Sequence, residues 1–200
     1  MGKLYQGAAR YLKKKSPALL QNCINDARPI SARDTAVIAV MYSGGLRRTE
    51  VAKLDWSDYD AENKKLKLNR KRSKQRTVYL AEGAIAALHD WLTIRGNENG
   101  PLFVAINRGS NLIPKKSMTP QSIYFLLQSR AKRAGVKKFS PHDFWRTFVG
   151  DLLDAGVDIA IVARMAGHAS ANTTARYDRR PERLKKKATM MLNVPYVRTR

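Results

Sequence analysis

Apolar and polar positions along this chain follow two periods, and together they predict a run of helices interrupted by short strands. Ser16-Pro17 opens a short helix through Ile24, with Ser as cap and Pro in the first turn. A stronger helix begins at Ser31, where Ser31 and Asp34 have capping-box-like spacing. Its run from Ala36 to Met41 is apolar on most sides, and Gly44-Gly45 ends it. A short helix follows, with Arg47, Arg48, Thr49 and Glu50 in its first turn and Val51, Ala52 and Leu54 facing a core. Asp55 to Asp60 reads as a polar turn. The period then changes to two. Leu66 and Leu68, then Val78 and Leu80, predict a hairpin with strands Lys65 to Asn69 and Gln75 to Leu80, joined by a turn over Arg70 to Lys74.

Helical spacing returns at Glu82 to Arg95, where Ala84, Ala87, Leu88 and Leu92 share a face. Leu102 to Val104 reads as a third short strand, and Asn107 to Ser117 as a long polar loop. Thr119-Pro120 caps a helix to about Ala134. Ser140-Pro141-His142 opens another, with Phe144, Phe148, Leu152 and Leu153 inward and Gly156 at its end. Asp158 caps Ile159 to Ala166, and Gly167 closes that helix. A short Thr- and Ala-rich helix carries Tyr177, and Pro181 starts a last helix to about Leu192. The sum is a mostly α domain with one small antiparallel β-sheet (α+β), over residues 30–192. A basic lead-in, 1–29, precedes it and a tail, 193–200, follows.

Two hundred residues suffice for one domain with a full core. The charge adds more: 38 Lys+Arg against 16 Asp+Glu give a formal net charge of +22. A domain this basic faces a polyanion. The basic residues sit in several separate segments, which argues against a single membrane-surface helix. No apolar run approaches the ~20 residues of a membrane span. Cys23 is the only cysteine, so no intrachain disulfide forms, and no Cys/His spacing suggests zinc. This usage suits a reducing cytoplasm.

Candidate chemistry is concentrated at few places. Tyr177 is surrounded by Arg176, Arg179 and Arg180. A phenol with an ordinary pKa near ~10 is a poor nucleophile unless cations stabilise its phenolate. Arg47, at a helix start beside a glycine turn, is placed to be held and aimed at a phosphate. The hairpin carries Lys64, Lys65, Lys67, Arg70, Lys71, Arg72, Lys74 and Arg76 without an acid between them. Such a tip is shaped to enter a DNA groove. By residue type alone, the chain is a basic domain with Arg, Lys, His and Tyr candidates.

Four segments, in order, resemble the catalytic domain of the tyrosine recombinases, the phage-integrase and Xer-like family. They are Gly45-Leu46-Arg47-Arg48-Thr49-Glu50, the Lys71 hairpin, Ser140-Pro141-His142-Asp143, and Ala166-Gly167-His168 followed nine residues later by Tyr177. The resemblance covers about residues 30–192. It implies that Arg47 grips a scissile phosphate and that Lys71 protonates the leaving 5′ oxygen, with Lys74 the nearby alternative. His142 would assist proton transfer and His168 would hydrogen-bond the phosphate. Tyr177 would form a 3′-phosphotyrosine link with no metal, ATP or other cofactor. Arg70, Arg72, Lys74, Arg76 and Arg176 are the expected DNA contacts. The expected partner is double-stranded DNA in the nucleoid, with self-association into a tetrameric synapse in the full-length protein and the 181–192 helix docking on a neighbour. The family's usual N-terminal DNA-clamping domain has no room in residues 1–29.

One position departs from the pattern. The family's second arginine stands three residues after the first histidine, and here that residue is Trp145. Trp donates one N–H and carries no charge. Arg146 is adjacent, but one helical residue turns its side chain by ~100°. Three readings stand beside one another: a site-specific DNA recombinase, weakened or disabled at Trp145; a catalytically inactive DNA-binding relative acting as an occupancy or accessory factor; and a basic nucleic-acid protein indifferent to sequence.

Overall fold

A computed structural model describes residues 20, 26, 28–70, 73–136, 139–168, 170–178 and 189–191; the side chains of 69, 70, 73 and 74 lie outside that description. The expected helices at 17–24 and 181–192 fall outside it, apart from a few residues.

The central element is helix α1, Pro29–Gly44. Every side chain from Ala36 to Met41 is at most 6% exposed. A helix apolar all round must be covered all round, and α1 is. Helix α3, Glu82–Arg95, packs along it most extensively, with α4 (Pro120–Arg133) and α5 (Pro141–Asp154) also in contact. The turn of helix α2, Arg48–Val51, closes one end.

The helix starts two residues before Ser31, at Pro29, so Ser31 and Asp34 do not form a cap. Both are buried and serve a tertiary contact. Asp34 accepts from Arg130 Nε at 2.8 Å through one oxygen and from Arg33 Nη2 at 2.9 Å through the other, and Arg130 Nη2 reaches Ser31 Oγ at 3.0 Å. A buried carboxylate shared by two guanidinium groups ties α1 to α4.

Two small sheets replace the single one expected. Strands β1 (Tyr59–Asp60), β2 (Lys65–Arg70) and β3 (Ser73–Tyr79) form an antiparallel sheet in the order β1-β2-β3. Leu66 opposes Val78 and Leu68 opposes Arg76, with a register shift after Leu68. The second sheet pairs β4, Val104–Ile106, with β5, Leu112–Ser117. Strand β5 occupies what reads in sequence as polar loop. Its Pro114 and its exposed lysines, Lys115 and Lys116, mark an edge strand, which alternation of apolar residues does not reveal.

The buried apolar residues form two groups. The larger surrounds α1. The smaller joins Trp145, Phe148, Val149 and Leu153 of α5 to Val162 and Ala166 of α6 (Ile159–Ala166), with Tyr177 packed against it. Gly45 brings the two together. Gly45 ends α1 at φ +58°, and a Cβ there would lie 2.4 Å from Phe148 Cδ1. Only glycine relieves both constraints, so this turn lets α5 approach the segment carrying Arg47.

Candidate active site

Arg47, His142, His168 and Tyr177 each sit at or just beyond the end of an element rather than in its middle. Arg47 is the residue before α2, in extended conformation. Its backbone N–H donates to Glu50 Oε2 at 2.8 Å, and its guanidinium lies 3.4 Å from Glu50 Oε1. Glu50 thus holds Arg47 through both main chain and side chain. Sequence reading placed Glu50 in the same turn without assigning it this role; its spacing three residues after Arg47 was the available signal.

His142 occupies the first turn of α5. Ser140 precedes the helix, and its N–H donates to Asp143 Oδ2 at 2.7 Å. His168 follows the left-handed Gly167 that ends α6, and its N–H returns to the Ala163 carbonyl at 2.9 Å. Its Nδ1 lies 2.7 Å from Thr174 Oγ1, on the short helix α7, Ala171–Ala175. Tyr177 leaves that helix with its N–H on the Thr174 carbonyl at 2.8 Å.

These four segments meet at Trp145. The indole is 2% exposed. Residues three apart share a helix face, and the His142 imidazole stacks on Trp145 at 5.0 Å with 9° between planes. His168 lies 4.9 Å from the indole, and Tyr177 meets it edge-on at 5.2 Å. The Arg47 guanidinium sits over the same ring at 5.7 Å. The rings of His168 and Tyr177 are 6.3 Å apart. Among the described residues, the Trp145 Nε1–H finds no acceptor.

A cleft of about 410 Å³ opens beside this cluster, lined by Arg47, Arg48, Thr49, Tyr124, His142 and Trp145. Arg48, also in the lining, lies 5.9 Å over the Tyr124 ring. Shielding from water pushes the pKa of His142 down, and the nearby Arg146 and Arg47 cations lower it further. His168 is lowered by the same shielding and by Arg47. Both imidazoles are therefore neutral at pH 7, where even an unperturbed histidine is mostly so.

The other expected site residues divide. Lys71 and Arg72 lie outside the described residues, as do the side chains of Arg70 and Lys74. Arg176 is exposed. Arg146 leans back toward Asp143, 3.5 Å away. Arg76 requires a correction. Expected at a DNA-facing surface, it is 8% exposed and turned inward. It shares the inner face of β3 with Val78, and its guanidinium meets Glu50 Oε2 at 3.1 Å and the Met165 carbonyl. Among the described residues, no group of three or more His, Cys, Asp or Glu side chains is placed to hold a metal ion. No helix among them is long and apolar enough to cross a membrane.

Comparison with known proteins points in one direction. Residues 10–183 match the phage integrase family. A tyrosine recombinase XerC of Haemophilus ducreyi is 33% identical over 176 residues, covering 84% of this chain and 56% of that protein. The chain spans about half the length of the curated relatives it matches. The crystal structure of XerA recombinase superposes with a TM-score of 0.70 at 26% identity, over 92% of this chain and 65% of that one. The catalytic domain of bacteriophage HP1 integrase shares the fold, with a TM-score of 0.62 at 20% identity over 88% of this chain and 90% of that domain.

Proposed function

Because the chain belongs to the phage integrase family, we propose that it is the catalytic domain of a site-specific DNA recombinase that cuts and rejoins strands through Tyr177. The observation that carries this reading is convergence. Arg47, His142, His168 and Tyr177 come from separate segments and all border one indole beside one cleft.

In this reading the Tyr177 oxygen attacks a backbone phosphorus and the 5′ oxygen leaves, so one phosphoester replaces another. The link holds the strand end until a second 5′ hydroxyl reverses the step. Arg47 stabilises charge on the non-bridging oxygens. A neutral His142 can accept the phenol proton. In the tautomer this reaction uses, His168 Nδ1 accepts from the Thr174 hydroxyl 2.7 Å away and Nε2–H is the donor toward phosphate. The leaving oxygen takes its proton from Lys71, the role the family pattern assigns to the hairpin turn. The net charge of +22 supplies the attraction for DNA.

Trp145 favours a second reading, a DNA-binding relative that does not cut. It puts a neutral, buried ring where the family has a cation. The test is covalent capture on nicked suicide duplexes made from the ends of the element that encodes the chain. A protein–DNA adduct that Tyr177→Phe abolishes is expected. Tight binding to those duplexes with no adduct from the parent chain or from Trp145→Arg favours the non-cutting relative.

A further inference from the structure

Arg76 belongs to the basic hairpin by sequence and to the active-site framework by position. It lies opposite Leu68, one paired position in from the Arg70–Ser73 pair at the hairpin tip, with Val78 further from the tip on the same inner face. Its Nη2 donates to Glu50 Oε2 at 3.1 Å. That same oxygen accepts the backbone N–H of Arg47 at 2.8 Å. Its Nη1 donates to the carbonyl of Met165, in the last turn of α6, three residues before His168. The carbonyls of a last helical turn lack intrahelical partners, and a cation there complements the helix dipole. One side chain on β3 therefore bonds both the turn that presents Arg47 and the helix end that presents His168.

We propose that Arg76 is a positioning residue, a clamp that sets the separation of the Arg47 and His168 turns and ties both to the Lys71 hairpin. This rests on the reaction proposed above for its consequence in catalysis, but the clamp itself is a statement about three elements. The chemistry requires arginine. Its planar fork places two donors on two acceptors in different directions, whereas a lysine ammonium is a point charge on one stem. A carboxylate that must hold Arg47 on one side is itself held by Arg76 on the other. Placement of the hairpin on DNA is then mechanically coupled to the groups that grip the phosphate.

The experiment compares the parent chain with Arg76→Lys and Arg76→Gln in three measurements. The first is amide hydrogen exchange at Arg47, whose N–H bonds Glu50, and at His168, whose N–H bonds the Ala163 carbonyl. Both variants are expected to lose at least about tenfold in protection at both amides, while the amides of α1 and α3 keep theirs. The second is the salt dependence of affinity for a short random-sequence duplex, which is expected to stay unchanged. The third is the single-turnover adduct rate, expected to fall at least about tenfold with the duplex Kd within about twofold. Glu50→Gln should reproduce the exchange pattern at Arg47, and adding it to Arg76→Lys should cost less than the sum of the two.

A salt slope reduced by about one, with exchange unaltered, would make Arg76 a phosphate contact and overturn the clamp. Protection lost uniformly across the chain would reduce Arg76 to a general stabilising residue, and loss at only one of the two amides would remove the coupling. A parent chain that forms no adduct counts against the proposed reaction, and the exchange and salt measurements still decide the clamp.

Discussion

Trp91 and Trp145 are both buried, at 0% and 2% exposure, and their surroundings differ in kind. Trp91 lies on α3 in the large core around α1, and its indole N–H donates to the Leu102 carbonyl at 2.8 Å. Trp145 lies in the small group between α5 and α6 among two imidazoles, a phenol and a guanidinium, and its N–H finds no acceptor among the described residues. A buried donor without a partner costs about 1–3 kcal/mol. The difference teaches that the main core satisfies its buried indole, whereas the smaller group surrounds one with polar side chains and leaves its N–H without an acceptor among the described residues.

The comparison is sharpest where the main core is held by charge. Asp34→Ala leaves the buried Arg33 and Arg130 without their shared carboxylate. Breaking such a network costs about 3–5 kcal/mol, so chemical denaturation should show a loss of that size; a loss under about 1 kcal/mol would mean water replaces the carboxylate. The next test uses one residue type at equal burial. Leu88 in the main core and Leu153 in the satellite are both at 0% exposure. Leu→Ala substitutions cost about 2–5 kcal/mol depending on how far the site collapses. Leu88→Ala should fall at the upper end, and Leu153→Ala at the lower end because α6 can close on the gap. Equal losses would erase the distinction between the two regions.

Gly45 joins them. Gly45→Ala places a Cβ 2.4 Å from the Phe148 ring at a positive φ, and is expected to cost about 1–3 kcal/mol. A change within experimental error would show that α5 is loosely docked on the Arg47 turn. The smallest effect is in pH. His142 and His168 are both lowered, chiefly by shielding from water. The folded state then binds fewer protons than the unfolded chain in this range. Their contribution to stability is present above the unfolded value of ~6.5 and is lost as pH falls through the lowered folded values. Imidazole NMR titration should place both midpoints below ~6.5; a midpoint above it for either ring would contradict the shielding.

Much of this architecture was legible in the chain. The all-round apolar run of α1, the amphipathic face of α3 and the punctuation by Ser, Asp and Gly at α5 and α6 correspond to elements that form. Strand β5 was not legible, because an exposed edge strand with Pro114 has no apolar alternation to detect. Ser31 and Asp34 have the spacing of a cap, yet a buried Arg130 ninety-six residues from Asp34 claims them, and no local pattern reports such a partner. Arg76 carried a usable signal that its charge obscured: the period of two places it on the face of Val78 and Leu80. The proximity of Arg47, His142, His168 and Tyr177 came from family resemblance, since nothing in periodicity brings four distant segments together.

The central claim is that this cluster is a phosphoryl-transfer site in which the neutral Trp145 stands where a cation would serve better. The direct measurement is the single-turnover rate of adduct formation on the suicide duplex, parent against Trp145→Arg, at saturating protein. One lost oxyanion donor is worth about 10²–10³ in rate, so the account predicts that Trp145→Arg accelerates adduct formation by about that factor, with Tyr177→Phe inert. An arginine variant that folds, binds the duplex and cuts no faster than the parent would contradict it.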